Sequence, residues 1–237
     1  DNHFVYSVNP FILTDLDDKF LKIGYSYATA FIAPTLYQSY GSLPYVLPNF
    51  DLKPETNASH ELDFSFGKKD RTFVVNASVF SRKEKDVFVY NWDNRKFLNV
   101  ESNKVKGVEL GVQYHFNEKV NVGGNFSFAE KDNPATRLRS PKQRANAFLE
   151  ILPIKNNRIN ISYQYTSKRN DAYYDSSSFS TKNVELEAFH LFNLNINQKI
   201  TKSLDTYLNV GNVLNTSYTD VIGYTTKPRN ITLGVEY

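Results

Sequence analysis

Apolar and polar residues alternate along most of this chain. Val108, Leu110, Val112, Tyr114 and Phe116 interleave with Glu109, Gly111, Gln113 and His115, and Val120, Val122, Phe126 and Phe128 interleave with Asn121, Gly123, Asn125 and Ser127. The same period of two recurs at Leu62/Phe64/Phe66, Phe73/Val75/Ala77/Val79, Ile159/Ile161/Tyr163/Tyr165 and Phe192/Leu194/Ile196, and closes the chain at Ile231, Leu233, Val235 and Tyr237. Successive side chains of a strand point to opposite faces, so the pattern describes strands with one greasy and one wet side. It predicts about eleven strands, over residues 3–14, 19–33, 57–67, 71–82, 104–116, 119–129, 142–152, 157–168, 184–199, 203–213 and 228–237. Most approach the roughly 9–11 residues that a tilted strand needs to cross a bilayer, against about 5–6 for the average strand of a soluble protein.

The connections carry a second pattern. Those near 15–18, 68–70, 117–118, 153–156 and 200–202 are tight, whereas those at 34–56, 83–103, 130–141, 169–183 and 214–227 are long. Short and long alternate, so every long connection falls at one end of the sheet. Outer-membrane barrels are built this way, with short periplasmic turns and long extracellular loops. A soluble β-sandwich or small barrel would also alternate along its strands, because periodicity does not say whether the apolar face meets a core or lipid. Strand length, loop rhythm and aromatics near strand ends (Tyr25, Tyr27, Phe116, Phe128, Tyr163, Tyr165, Tyr237) favour lipid.

Composition sharpens this picture. Among 237 residues there are 16 Tyr and 18 Phe but a single Trp, which suits strands. With no Cys there is neither a disulfide framework nor Cys-ligated zinc. A net charge of +3 gives no argument for nucleic acid as a partner. No run of 18 apolar residues exists, which excludes a transmembrane helix and leaves a membrane β-barrel open. The chain contains no Met and opens without a basic-then-apolar leader, so it is expected to be a segment of a longer gene product or a processed form. An odd strand count points the same way, since bacterial single-chain barrels close with an even number.

Three stretches resemble the TonB-dependent outer-membrane receptors. Ala28-Thr29-Ala30-Phe31-Ile32-Ala33-Pro34-Thr35-Leu36-Tyr37-Gln38, then Asn49-Phe50-Asp51-Leu52-Lys53-Pro54-Glu55 and Glu61-Leu62, are similar to that family's "TAFKAPTLYQLY … NPDLKPE … EL" segment, with Phe50 in place of Pro. Asn103-Lys104-Val105-Lys106-Gly107-Val108-Glu109 resembles "ARIKGVE". Leu208-Asn209-Val210-Gly211-Asn212-Val213-Leu214-Asn215-Thr216-Ser217-Tyr218 resembles "NLFDKDY" and leads into Gly223-Tyr224-Thr225-Thr226-Lys227-Pro228-Arg229-Asn230, similar to "GYxTPGRN" with Lys227-Pro228 for Pro-Gly. The resemblance implies an all-β, antiparallel up-and-down transmembrane barrel of 22 strands in the bacterial outer membrane. Residues 1–237 would supply its second half. The plug, the segment that engages TonB and the first half-barrel would lie outside this chain. A surface lipoprotein is a further expected partner.

Within the family, the Gly223-Tyr224 loop and Arg137-Leu138-Arg139-Ser140-Pro141-Lys142-Gln143 look most like the vitamin B12 (cobalamin) receptors, with siderophore and haem receptors sharing the same barrel motifs. That likeness would place ligand contacts at Arg139 and Tyr224. An Arg fork bonds amide or phosphate oxygens, and a Tyr offers a flat face with a hydroxyl. The same residues could instead pair with a loop carboxylate and pack between loops. Asn170-Asp171-Ala172-Tyr173-Tyr174-Asp175-Ser176-Ser177-Ser178-Phe179 mixes rigid aromatics with adaptable polar groups, which makes Tyr173 and Tyr174 candidates for ligand contact on a lid. Trp92, in Asn91-Trp92-Asp93-Asn94, reads better as a loop-stabilising aromatic.

Other chemistry finds little support. Asp15, Asp17 and Asp18 lack the spacing of a calcium loop, and His3, His60, His115 and His190 are scattered over separate strands with no zinc-ligand pair. No nucleophile elbow, phosphate loop or triad is present, so neither catalysis nor a bound cofactor is expected. Glu61, Asp63 and Glu109 fall on polar strand faces and are expected to line a wet lumen.

Overall fold

The computed structural model describes residues 4–237. His3, with which the first predicted strand opens, lies outside the described residues. The strands are β1 (Ser7–Val8), β2 (Phe11–Leu16), β3 (Lys19–Ile32), β4 (Glu55–Lys68), β5 (Phe73–Asn91), β6 (Lys96–Asn117) and β7 (Val120–Lys131). They continue as β8 (Gln143–Ile151), β9 (Asn157–Thr166), β10 (Arg169–Asp175), β11 (Ser180–Leu186), β12 (Phe189–Thr201), β13 (Leu204–Gly211) and β14 (Asn230–Glu236). A short helix, α1 (Leu36–Tyr40), sits in the first long connection, where Thr35 and Gln38 cap its N-terminus reciprocally.

Twelve strands form one sheet in the order β1-β3-β4-β5-β6-β7-β8-β9-β12-β13-β14, with β2 also on β3, while β10 and β11 pair as a separate hairpin. Each neighbouring pair is antiparallel. β1 and β2 run end to end along the outer side of β3, and the Pro10 carbonyl between them accepts the Tyr25 amide at 3.0 Å. The predicted strand at 3–14 is thus broken where Pro10 has no N–H to give a ladder. The sheet is an up-and-down array that stays open among the described residues, with β14 at one edge and β1/β2 at the other.

Register shows what the alternation means. Phe73, Tyr114, Val122, Leu149, Ile161, Leu194, Val210 and Ile231 are successive cross-strand partners, one apolar row across eight strands. A parallel row joins Leu21, Phe66, Val75, Val112, Gly124, Ala147, Tyr163 and Phe192. On the other face Lys22, Ser65, Asn76, Gly111, Asn125, Asn146 and Gln164 make a polar row, as do Asn121, Glu150, Asn160, Asn195, Asn209 and Thr232. The apolar face is not packed on a second layer: Val112 is 48% exposed, Leu110 47% and Val79 52%. An exposed apolar surface this extensive needs a non-aqueous neighbour. Along the apolar face His60 lies between Tyr25 and Tyr27 and bonds the Tyr25 hydroxyl at 2.8 Å, and His190 takes the Tyr163 hydroxyl at the same distance beside Tyr165. Such amphipathic rings suit a membrane–water boundary.

Three expectations are corrected. Residues 83–103 are not a loop: β5 and β6 stay paired to Asn91↔Lys96, so they rise as a hairpin well past the apolar rows. Its lower part, Arg82 to Asp86, is polar on both sides, and its upper part pairs Val87 with Val100, Val89 with Leu98 and Tyr90 with Phe97 on alternate faces, so neither part shows a period of two. Residues 169–183 are likewise the β10–β11 hairpin rather than an irregular loop. The strand expected at 184–199 therefore splits, into β11 and β12, on either side of Glu187-Ala188. At the tight-turn end Asp15 pairs with Lys69 at 3.3 Å and Asp18 with Lys68 at 3.9 Å. Pro34 and Pro54 lie outside the strands, as expected.

Gly107 makes one contact that only glycine allows. A Cβ there would strike the Phe128 carbonyl oxygen and the Phe80 ring, which lies across it from the neighbouring strand. Gly107→Val is expected to destabilise the sheet by about 1–3 kcal/mol through overpacking. The loss would be read as a lower urea midpoint of the full-length protein in lipid vesicles.

Candidate ligand-capture site at the long-loop end

The connections at the long-loop end are tied together by two buried charges. Asp171, 1% exposed at the base of the β10–β11 hairpin, holds three groups at once. Its Oδ1 accepts from Arg139 Nε at 2.7 Å and from the Ala172 amide at 2.8 Å, and its Oδ2 accepts from the Ile222 amide at 2.8 Å. Burial pushes the Asp171 carboxyl up, but the Ile222 amide, Arg139 and the Ala172 amide together outweigh it and hold the group below its ordinary value. Arg169, two residues before Asp171 and on the same face of the strand, has a side chain that is 2% exposed. One terminal nitrogen donates to the carbonyls of Thr219 and Asp220 at 2.9 Å and to the Asp220 carboxylate at 2.8 Å, while the guanidinium lies 5.2 Å from the Phe189 ring centroid. Phe189 in turn lies tilted against Tyr218, their ring centroids 4.6 Å apart.

The segment after β13 has its own staples. Asn212, at φ 51, exchanges side-chain bonds with the Thr216 backbone, and Asn215, at φ 54, accepts from the Arg229 amide at 2.8 Å. Asn tolerates the left-handed region and bonds nearby backbone, which is why asparagines stand in this Gly211-Asn212-Val213-Leu214-Asn215 stretch.

These ties place the candidate residues of the sequence. Arg139, at φ 57, sits between β7 and β8 with its amide on the Asn170 carbonyl at 2.8 Å. It pairs with Asp171 through Nε, its one side-chain hydrogen bond among the described residues, and 49% of its side chain is exposed. Tyr224 follows Ile222 and Gly223, is 75% exposed, and reaches the same junction through Ile222. Tyr173 and Tyr174 stand next to Asp171 on opposite faces of the hairpin, both exposed. Arg139, the β10–β11 hairpin and the Tyr224 loop thus converge on one carboxylate. Neither Asp171 nor Arg169 stood out in the sequence, because their stretch shows no alternation and was read as a loop.

A cleft of about 870 Å³ opens between this hairpin and the raised β5–β6 hairpin, lined by Tyr90, Trp92, Leu98, Leu138, Asn170 and Asn183 among others. Trp92 stands edge-on to Tyr90 at 5.0 Å and lies on the cleft wall. The first long connection braces the raised hairpin from its other side. The Leu47 amide donates to the Arg95 carbonyl at 2.7 Å, Asn49 to Phe97 at 2.7 Å and the Tyr90 hydroxyl to Tyr45 at 3.0 Å. Glu61, Asp63 and Glu109 line a separate cleft on the polar face of the sheet. Among the described residues no group of three His, Asp or Glu is placed to hold a metal ion.

Comparison with known proteins gives the framework a family. The model "TonB dependent receptor-like, beta-barrel" matches residues 1–213. The vitamin B12 transporter BtuB of Vibrio cholerae serotype O1 is 27% identical over 217 residues, covering 90% of this chain and 34% of that protein. The chain thus spans about a third of the length of the curated relatives it matches. Among solved structures, the ferripyoverdine receptor of the Pseudomonas aeruginosa outer membrane superposes with a TM-score of 0.76 at 16% identity, over 99% of this chain and 33% of that one. The siderophore receptor PirA of Acinetobacter baumannii gives 0.75 at 17% identity, over 98% and 40%. The copper transporter OprC gives 0.76 at 17% identity, over 98% and 40%.

Proposed function

The chain belongs to the TonB-dependent receptor β-barrel family, and on that premise we propose that it forms wall and ligand-capturing surface of an active importer in the bacterial outer membrane. Its apolar face meets the acyl chains, its polar face looks into a wet interior, and backbone groups are paired along the sheet, as a membrane wall demands. A plug and the first half of the barrel complete the receptor from outside this chain. TonB acts through an N-terminal segment, and a surface lipoprotein is a possible further partner. The transported ligand is a scarce molecule too large for passive pores.

The observation that carries the reading is the convergence on Asp171: Arg139 is fixed at one nitrogen and half-exposed, with Tyr224, Tyr173 and Tyr174 exposed around it. Donors of this kind bond amide or phosphate oxygens, and the aromatic faces cover apolar surface. Cobalamin, rich in amides and carrying a phosphate, is the favoured cargo. The vitamin B12 transporter relative, aligned over 90% of the chain, supports that choice over a siderophore or haem.

The test is binding of cobalamin, a ferric siderophore and haem to the detergent-solubilised full-length receptor. Saturable cobalamin binding is expected, weakened about tenfold or more in Arg139→Ala/Tyr224→Ala. No saturable binding would remove cobalamin as the cargo, and unchanged affinity in the double variant would remove the two residues from the site.

A further inference from the structure

On the membrane side of the wall, just above the apolar rows, the register assembles a group of like charges. Val79 faces Val108, the next outward row is Ser81 with Lys106, the next Lys83 with Lys104, and the last Lys85 with Ser102. Lys83, Lys85, Lys104 and Lys106 are all exposed, whereas Asn103, Val105 and Gly107 between them are buried against the other face. Among the described residues none of the four ammonium groups lies in an ion pair; the ion pairs here join other lysines and arginines to carboxylates. The carboxylates nearby are already engaged. Glu130, opposite Lys106, pairs with Lys142 at 2.6 Å, and Asp132 accepts the Lys104 backbone amide at 2.6 Å. Like charges directly opposite one another weaken a strand pair unless something neutralises them.

Immediately below the lysines is a groove of about 450 Å³ lined by Tyr25, His60, Leu62, Val79, Val108 and Phe128, with Lys106 and the Lys142-paired Glu130 also in its lining. Cationic heads above an apolar trough match one chemistry: an anionic amphiphile whose charged group sits in the headgroup layer while its chains follow the wall. Because Lys carries a compact, hydrated charge with rotating donors, phosphate suits four of them better than a planar carboxylate. We propose that this patch binds the phosphorylated headgroup of a membrane lipid, with an acyl chain lying in the groove. The inference rests on the membrane-wall reading above and is independent of which ligand is transported.

The probes are bis-phosphorylated lipid A, its dephosphorylated form, phosphatidylcholine and inorganic pyrophosphate, each titrated into delipidated full-length receptor in zwitterionic detergent and read by native mass spectrometry. The variant is Lys83→Gln/Lys85→Gln/Lys104→Gln/Lys106→Gln, with Lys119→Gln/Lys155→Gln/Lys199→Gln/Lys202→Gln at the tight-turn end as a charge-matched control. Bis-phosphorylated lipid A is expected to bind the parent and the control alike. The quadruple variant should bind at least about tenfold more weakly, and the dephosphorylated lipid should behave like phosphatidylcholine. Equal retention of lipid A by the quadruple variant would overturn the proposal, and so would pyrophosphate displacing the lipid at equal concentration, which would make the patch a free-anion site. Failure of the membrane reading shows separately, as a receptor that stays monodisperse without detergent. The shift of unheated protein on denaturing gels reports that each variant is folded.

Discussion

A receptor carrying Val112→Arg should fail to assemble. Val112 is half-exposed at the centre of the apolar run of β6, between Val75 and Gly124 in its row. A guanidinium there would be forced among acyl chains, at about 2–4 kcal/mol for a strand residue at the bilayer midplane. The folded fraction in lipid vesicles, scored by urea titration, should fall accordingly. Gln113→Arg, one residue on and pointing to the polar face, should leave stability within about 1 kcal/mol of the parent. Equal stability of the two variants would mean that the apolar rows do not touch lipid, and the membrane-wall reading would go with them.

Asp171→Ala is expected to uncouple the loops without unfolding the sheet. It leaves the Ile222 and Ala172 amides without an acceptor and Arg139 without its anchor, a local cost of about 2–4 kcal/mol. Hydrogen exchange should accelerate across residues 137–141 and 220–225, while amides of β6 and β7 keep their protection. Unaltered exchange in both segments would show that Asp171 does not hold them together. The pH dependence has a definite sign. Because the folded group titrates below the ordinary carboxylate value of 3.8, its stabilisation is complete above that value and fades as pH drops through the lower, folded one. Loop order should therefore be flat from about pH 5 to 8 as far as this group is concerned, and loosen only in strong acid.

How much of this was legible beforehand depended on whether a residue faced one environment or two. Strands β3, β4, β7 and β9 alternate because one side meets something apolar, and they lie where the pattern put them. The raised part of β5 and β6 is polar on both sides at Arg82 to Asp86 and Ser102 to Lys104 and apolar on both sides at Val87 to Tyr90 and Phe97 to Leu98, so no period of two marks it. The β10–β11 hairpin was hidden for the opposite reason. Arg169 and Asp171 are buried on one face and Ala172 on the other, because loops pack on both sides of its base. Arg139 and Tyr224 were visible through family resemblance, whereas the carboxylate that joins their loops, with no motif around it, emerged only from the fold.

The polar rows of the wall have a consequence of their own. They are filled largely by primary amides that bond across strands, Asn125 with Asn146 at 3.0 Å and Asn195 with Asn209. An amide offers two donors and two lone pairs and carries no charge. A lining of this sort grips whatever fills the interior through many weak, interchangeable bonds, none of which salt screens or protons remove. Where amides line the wall, a body held there can slip past by exchanging one neighbour for the next, so resistance to its displacement there should depend little on ionic strength, in contrast to the stretch lined by Glu61, Asp63 and Glu109 and to the charge-tied loops above it.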